Sequence, residues 1–231
     1  SYDWVAKQLK YYAQRNVTFS THVHVSVPCK DSSVYITNSL RRWLPGLLAL
    51  STNSPFFEGE VTGMRSSRTF QFGVFPRTEI PPFIESYDGY VDLVNKLTDS
   101  HAINNPRQIW WKVRPNMSLG TVELRVCDAQ RSLMHVKMIT ALSQALVHRC
   151  YQDYLENKEC TDLNLVYLND SLWKAARFGF DSIIYDEYEN NLISIKEHIQ
   201  ELLNYSTESM KYFNTESVIS IANDILKDGT E

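Results

Sequence analysis

Glycine and proline are scarce, eight of each in 231 residues, too few for a collagen-like repeat or a glycine-rich disordered tract. Cysteine is scarcer still. Cys29, Cys127, Cys150 and Cys160 include no Cys-x-x-Cys pair, and a chain of this length can build a core without disulfides. The expectation is four reduced thiols in a cytoplasmic protein. There is no basic excess either: 23 Lys+Arg against 27 Asp+Glu leave a net charge of -4, which argues against nucleic acid as a partner. The longest apolar run, Trp43 to Leu50, is far short of the ~20 residues needed to span a bilayer, and no signal peptide precedes it; no membrane partner is expected. Gly-x-Gly-x-x-Gly, the P-loop and Gly-x-Ser-x-Gly are all missing. A nucleotide, if one binds, must be held by another device, and a serine nucleophile has no elbow to sit on.

What is present is ordinary globular material, 43% hydrophobic and 22% charged, enough for a sizeable core. Val5, Leu9 and Tyr12 recur at helical spacing and predict a helix over 2–14. Over 17–27 the period becomes two, with Val17, Phe19, Val23, Val25 and Val27 on one face and Thr18, Ser20, His22, His24 and Ser26 on the other. This is a half-buried strand, ended by Pro28. Asp31-Ser-Ser33 can cap a helix running to Leu50 that Pro45 kinks or divides. A polar loop from Ser51 to Arg68 leads to a strand-like run, Thr69 to Phe75, and Ser86 caps a helix to Leu97. Gln108 to Arg114 and Thr121 to Cys127 read as neighbouring antiparallel strands. Ser132 caps a long helix to Glu156, and the remainder is helical in pattern, over 172–178, 192–205 and 216–228. Strands mixed with helices in 1–130 and helices alone in 131–231, with no linker between, favour one α+β domain over 1–231.

Two strands carry the chemistry. In Thr121-Val-Glu-Leu-Arg-Val-Cys127 the alternation puts Val122, Leu124 and Val126 on one face and Thr121, Glu123, Arg125 and Cys127 on the other. A carboxylate and an imidazole can share a metal ion, and a nearby guanidinium can fork onto phosphate; a solvated sheet face with an ordinary ion pair has the same pattern. His22 and His24 point the same way, as zinc would want, but two ligands are too few and the other histidines have no paired spacing. Arg65-Ser-Ser-Arg68 and Trp110-Trp-Lys-Val-Arg-Pro115 add cations beside small or aromatic residues.

Taken in order, several segments resemble the glutamate-cysteine ligase type 2 family, also described as carboxylate-amine ligases. They are Phe19-Ser-Thr-His-Val-His-Val25, Leu40-Arg-Arg-Trp-Leu-Pro45, Leu48-Ala-Leu-Ser-Thr-Asn-Ser-Pro55, Ser66-Ser-Arg-Thr69, Trp110-Trp-Lys-Val-Arg-Pro115 and Thr121-Val-Glu-Leu-Arg-Val-Cys-Asp128. Ala175-Ala-Arg-Phe-Gly179 extends the likeness into the helical tail. The resemblance implies ATP-dependent joining of a carboxylate, typically glutamate, to an amine such as that of cysteine, through an acyl-phosphate. It also implies a fold like the glutamine synthetase catalytic domain, a curved antiparallel sheet whose polar concave face binds nucleotide and Mg²⁺. By resemblance His22 and Glu123 are metal ligands, Arg125 and Arg68 are catalytic, and Arg125, Arg114 and Arg68 hold phosphate or substrate carboxylate. The family's earlier segment, with a Glu-x-Glu strand and a His-Pro motif, would precede Tyr2 and lies outside this chain. Ser26 stands where Gly is usual, and Lys112 where Asp is usual. The leading expectation is therefore the C-terminal part of a ligase, completed by an N-terminal segment of a longer precursor or by a companion chain, with amino acids as substrates. A homo-oligomer is left open. The rival readings are a non-catalytic binding or regulatory subunit of the same fold and a zinc-dependent hydrolase using His22 and His24.

Overall fold

In the computed structural model, which describes residues 2–230, the first predicted helix is two: α1 (Tyr2–Leu9) and α2 (Tyr11–Arg15). Lys10 between them has φ of 52°, which no right-handed helix can absorb.

The central feature is an antiparallel sheet formed by β1 (Val23–Ser26), β4 (Val113–Asn116) and β5 (Thr121–Leu124), in the order β1-β5-β4. Its register places His24 opposite Glu123 and Glu123 opposite Arg114, while Val23, Leu124 and Val113 face one another in the next row. One face is thus wholly apolar. Val23, Val113, Val122 and Leu124 are buried in the main core among helix residues.

The strands are shorter than predicted, for identifiable reasons. Upstream of β1 only an isolated bridge from Ser20 to Asp128 continues the pairing. Val17 and Phe19 are 64% and 72% exposed, so that stretch is not half-buried. The strand predicted over 108–114 begins only at Val113, because a 3-10 turn at Pro106–Gln108 precedes it and Trp110 and Lys112 donate their N–H groups to Arg77 and Glu79 instead. It then runs through Pro115, which is tolerated because β4 is an edge strand. Beyond Leu124 the chain dives inward, so Val126 and Cys127 are both buried and the thiol leaves the polar face the alternation assigned to it.

The helix predicted to Leu50 is divided as its proline suggested, into α3 (Lys30–Leu40), a 3-10 turn at Arg41–Trp43, and α4 (Leu44–Ser51) with Pro45 in its first turn. Its cap is Cys29, whose sulfur accepts from the Ser32 N–H in a reciprocal box, rather than Asp31. In the polar loop, β2 (Phe56–Phe57) and β3 (Glu60–Val61) form a small hairpin, turned by Glu58 and Gly59 at φ of 50° and 85°. The strand-like run after it is instead a helix, α5 (Ser67–Phe72). Tertiary context there overrode the strand propensity of the aromatic and β-branched residues.

The caps at Ser86 and Ser132 do start α6 (Tyr87–Asp99) and α7 (Leu133–Leu155). The tail holds α8 (Leu165–Phe178), α9 (Ile195–Tyr212) and α10 (Val218–Asp228), but it is not purely helical: β6 (Ile183–Asp186) and β7 (Asn191–Ser194) form an unpredicted hairpin. Core residues of α4, α7, α8, α9 and α10 pack with the apolar sheet face in one cluster. No helix among the described residues is long and apolar enough to cross a membrane.

Candidate active site

The other sheet face is polar in every row. His24, Glu123 and Arg114 form one row, and Ser26, Thr121 and Asn116 the next. Beyond the ladder, the Arg125 N–H donates to the Lys112 carbonyl at 2.8 Å and brings these two residues side by side.

Glu123 is the centre of this surface although only 2% of it is exposed. Its Oε2 accepts from Arg114 Nε at 2.8 Å, and its Oε1 accepts from the Arg125 guanidinium. His22 Nδ1 and His24 Nε2 each lie 3.6 Å from Oε1. Burial pushes the carboxyl up, but the guanidiniums of Arg125 and Arg114 outweigh it and hold Glu123 at about 2. Burial, then the Arg125 charge, lowers His22 to about 4, so its imidazole is neutral at pH 7. Its Nε2 shares a hydrogen bond with Ser20 Oγ at 2.7 Å. The alternation's placing of Glu123, Arg125, His22 and His24 on polar faces agrees with the structure, which brings them together, and the register adds Arg114 as the second guanidinium on Glu123.

Arg68 arrives from α5 and is nearly buried. Its Nε donates to Asp128 Oδ1 at 2.6 Å, and its terminal nitrogen donates to the Val126 carbonyl. Asp128 also accepts from the Asn53 N–H, Ser54 Oγ and Ser66 Oγ, and so pins the polar loop to the end of β5. Much of Arg68's hydrogen bonding is thus structural, an anchoring that its place in Ser-Ser-Arg-Thr did not disclose.

Lys112 is the residue that spacing most undersold. It is 3% exposed, its Nζ has no hydrogen-bond partner, and the Phe72 ring centroid lies 5.4 Å away. Burial, reinforced by the charge of Arg68, lowers it to about 7. A buried lysine near Arg68 and Arg125, at a position where the resemblance implies an acid, leaves the face with four basic groups, Arg68, Lys112, Arg114 and Arg125, against the carboxylates of Glu123 and Asp128.

Two cavities flank Glu123. One of about 560 Å³ is lined by Arg107, Arg114, Asn116, Tyr90 and Met117 among others. The second, of about 330 Å³, is lined by His22, Arg68 and Arg125 with Phe72, Phe75 and Trp110. Because Glu123 holds Arg114 with one oxygen and Arg125 with the other, it joins the floors of the two cavities.

As a cation site this surface is incomplete. Mg²⁺ prefers oxygen donors, whereas Glu123 has a guanidinium on each oxygen and Asp128 is held by Arg68. The residues of this chain do not by themselves fit Mg²⁺. They suit an anion. His22 and His24 do not gain a third zinc ligand either: among the described residues, the group of three His, Cys, Asp or Glu with ligand atoms within 4.8 Å of one another is Asp186, His198 and Glu201. There the Arg42 guanidinium already stands in the cation's place, 2.7 Å from Asp186 Oδ2 and 3.0 Å from Glu201 Oε2.

The family described as "Glutamate-cysteine ligase family 2(GCS2)" matches residues 1–231. A Solibacter usitatus protein named "Putative glutamate--cysteine ligase 2" is 32% identical over 228 residues, which cover 99% of this chain and 59% of that protein. A relative of the same name from Sorangium cellulosum is 33% identical over 229 residues, 99% of this chain and 61% of its own length. The chain spans about 60% of the length of these relatives. The crystal structure of a glutamate–cysteine ligase from Francisella tularensis in complex with AMP superposes with a TM-score of 0.61 at 13% identity, over 98% of this chain and 54% of that one. At that identity the likeness establishes the shared fold, in keeping with the α+β, glutamine synthetase-like expectation. By the match along its whole length, the chain belongs to glutamate-cysteine ligase family 2.

Proposed function

We propose that this chain is the acid-activating part of an ATP-dependent carboxylate–amine ligase, acting in the cytoplasm on amino-acid substrates. The observation that carries the reading is Glu123, a buried carboxylate that ties a guanidinium at the floor of each of two adjacent cavities to one point. A ligase of this kind must bring two anions together, the nucleotide phosphates and the acid, and preorganised cations are how a protein offsets their repulsion. In this assignment Arg114 and Arg107 face the phosphates, and Arg125 and Arg68 face the acid. A carboxylate oxygen attacks the terminal phosphorus and ADP leaves; the amine nitrogen then attacks the acyl carbon, phosphate leaves, and the amine proton passes to solvent. Arg125 neutralises the charge that grows on the transferred group, with its unpartnered Nε available as a donor.

The active unit in this reading includes the length of the relatives that the chain does not span, supplied in cis or as a companion chain. A second reading, a non-catalytic subunit of the same fold, draws support from the saturation of Glu123 by two guanidiniums. Phosphate release coupled to amide formation separates the two, measured with glutamate and a panel of amines on the chain alone and after adding the missing segment. The ligase reading expects silence before and turnover after; silence in both would leave the binding subunit.

A further inference from the structure

The smaller cavity has a composition that glutamate does not explain. Its polar side holds unused donors. Asn16 Nδ2 and Arg125 Nε are buried without a hydrogen-bond partner; Lys112 Nζ, outside the lining but against the Phe72 ring that belongs to it, is in the same condition. Arg68 and His22 complete that side. The opposite side is aromatic. Phe75 packs edge-on to Trp110 at 5.2 Å between centroids, Phe72 tilts against the same indole at 6.4 Å, and Trp4 from α1 meets it at 6.0 Å. Val5 and Ala13 close the space from α1 and α2. Orphaned donors in an apolar surround call for an acceptor-rich anion, and ring faces and edges call for a planar apolar body. The second carboxylate of glutamate would satisfy the first demand twice and the second not at all.

We propose that this cavity binds a carboxylate bearing an aromatic ring, with the carboxylate on Arg125, Arg68 and Asn16 and the ring among Trp110, Phe72 and Phe75. The assignment rests on the ligase reading only in taking this molecule as the acid that is activated. An adenine nucleotide also joins anion and ring, but the roomier cavity at Arg107 and Arg114 suits it better.

Calorimetric titration of the full chain with 3-phenylpropanoate, propanoate, 3-phenylpropan-1-ol, glutarate and AMP tests this. The expected result is 3-phenylpropanoate binding at least tenfold more tightly than propanoate, glutarate or the neutral alcohol. Val5→Trp, which fills the cavity from α1, should abolish that binding and leave AMP affinity unchanged. Trp110→Leu should reduce the advantage over propanoate to less than threefold, and it serves if the filled variant does not fold. Equal binding of propanoate, tightest binding of glutarate, no binding of any carboxylate, or competition between AMP and 3-phenylpropanoate would each overturn the proposal. If AMP fails to bind while the aromatic preference holds, the placing of the nucleotide at Arg107 and Arg114 falls and the assignment of the smaller cavity stands.

Discussion

Replacing Lys112 by Met should stabilise the protein, and by an amount that depends on pH in a defined way. The two side chains have similar length and volume, so the packing beneath Phe72 survives the change. What disappears is an ammonium that is 3% exposed, has no hydrogen-bond partner and lies near the charges of Arg68 and Arg125. Its pKa falls from an ordinary 10.5 to about 7. Because the folded value lies below the unfolded one, the unfolded chain binds more protons between these limits, and stability rises with pH across that window. Below pH 7 the cost of the buried charge is fully present; above pH 10.5 it has gone. At ~1.4 kcal/mol per pH unit the full span is worth ~5 kcal/mol, and the cation–π contact with Phe72 returns ~1 of it. Lys112→Met is therefore expected to gain ~2–4 kcal/mol at pH 6, after allowance for relaxation around the charge. The gain should shrink towards zero by pH 10. Urea unfolding of both proteins at pH 6, 8 and 10 gives the difference directly, and groups that titrate in both proteins cancel from it. A variant no more stable than the parent at pH 6, or a gain that is the same at every pH, would refute the account.

Glu123→Ala should cost stability as well as ligase turnover, by ~3–5 kcal/mol, because it leaves Arg114 and Arg125 buried without their anion; a full melting temperature with lost turnover would confine Glu123 to chemistry. Since Glu123 titrates at about 2 rather than 4.5, it contributes ~3 kcal/mol that is present above pH 4.5 and lost as the pH falls towards 2, so Glu123→Gln should flatten the acid limb of the stability profile. Asp128→Ala should detach the polar loop from β5, and limited proteolysis should then cut the β2–β3 hairpin at least several times faster; unchanged cutting would deny the anchor. His22→Ala should alter stability by less than ~1 kcal/mol, since the imidazole is half-exposed and neutral at pH 7, yet abolish turnover of the completed enzyme if His22 is a ligand.

The sheet was legible because its signal is local. Period two over Val23–Ser26 and Thr121–Leu124 is enforced by one apolar face, and shifting either strand by a residue would turn valines into the polar cavity. The same logic made the caps at Ser86 and Ser132 readable, for a cap is satisfied by an N–H two or three residues away. Where the deciding partner is remote, the sequence misled. Thr69 to Phe75 has strand composition, but Ser66 and Arg68 just before it are tied to Asp128 and the Ala176 carbonyl, remote partners that start α5 there. The hairpin of β6 and β7 escaped because it lies between two helices, and its second strand runs directly into α9 at Ile195, so its residues read as part of a helical tract.

The site divides along the same line, with Lys112 on the side that only tertiary structure reveals. Alternation could put Glu123 beside Arg125 on one strand, but only the register of β4 against β5 makes Arg114 the second clamp and carries Lys112 alongside Arg125. Arg68 and Arg125 already have internal anions in Asp128 and Glu123, and Lys112 adds a third basic group beside them. Arg125 Nε and Lys112 Nζ are both left without a hydrogen-bond partner in a buried space. A protein that stores this much unsatisfied positive charge beside a cavity loses stability to do so, and the loss is recovered only when an anion enters. The burial of Lys112 is therefore better understood as an adjustment of what this surface binds, since a lysine without such a role would turn its ammonium to water.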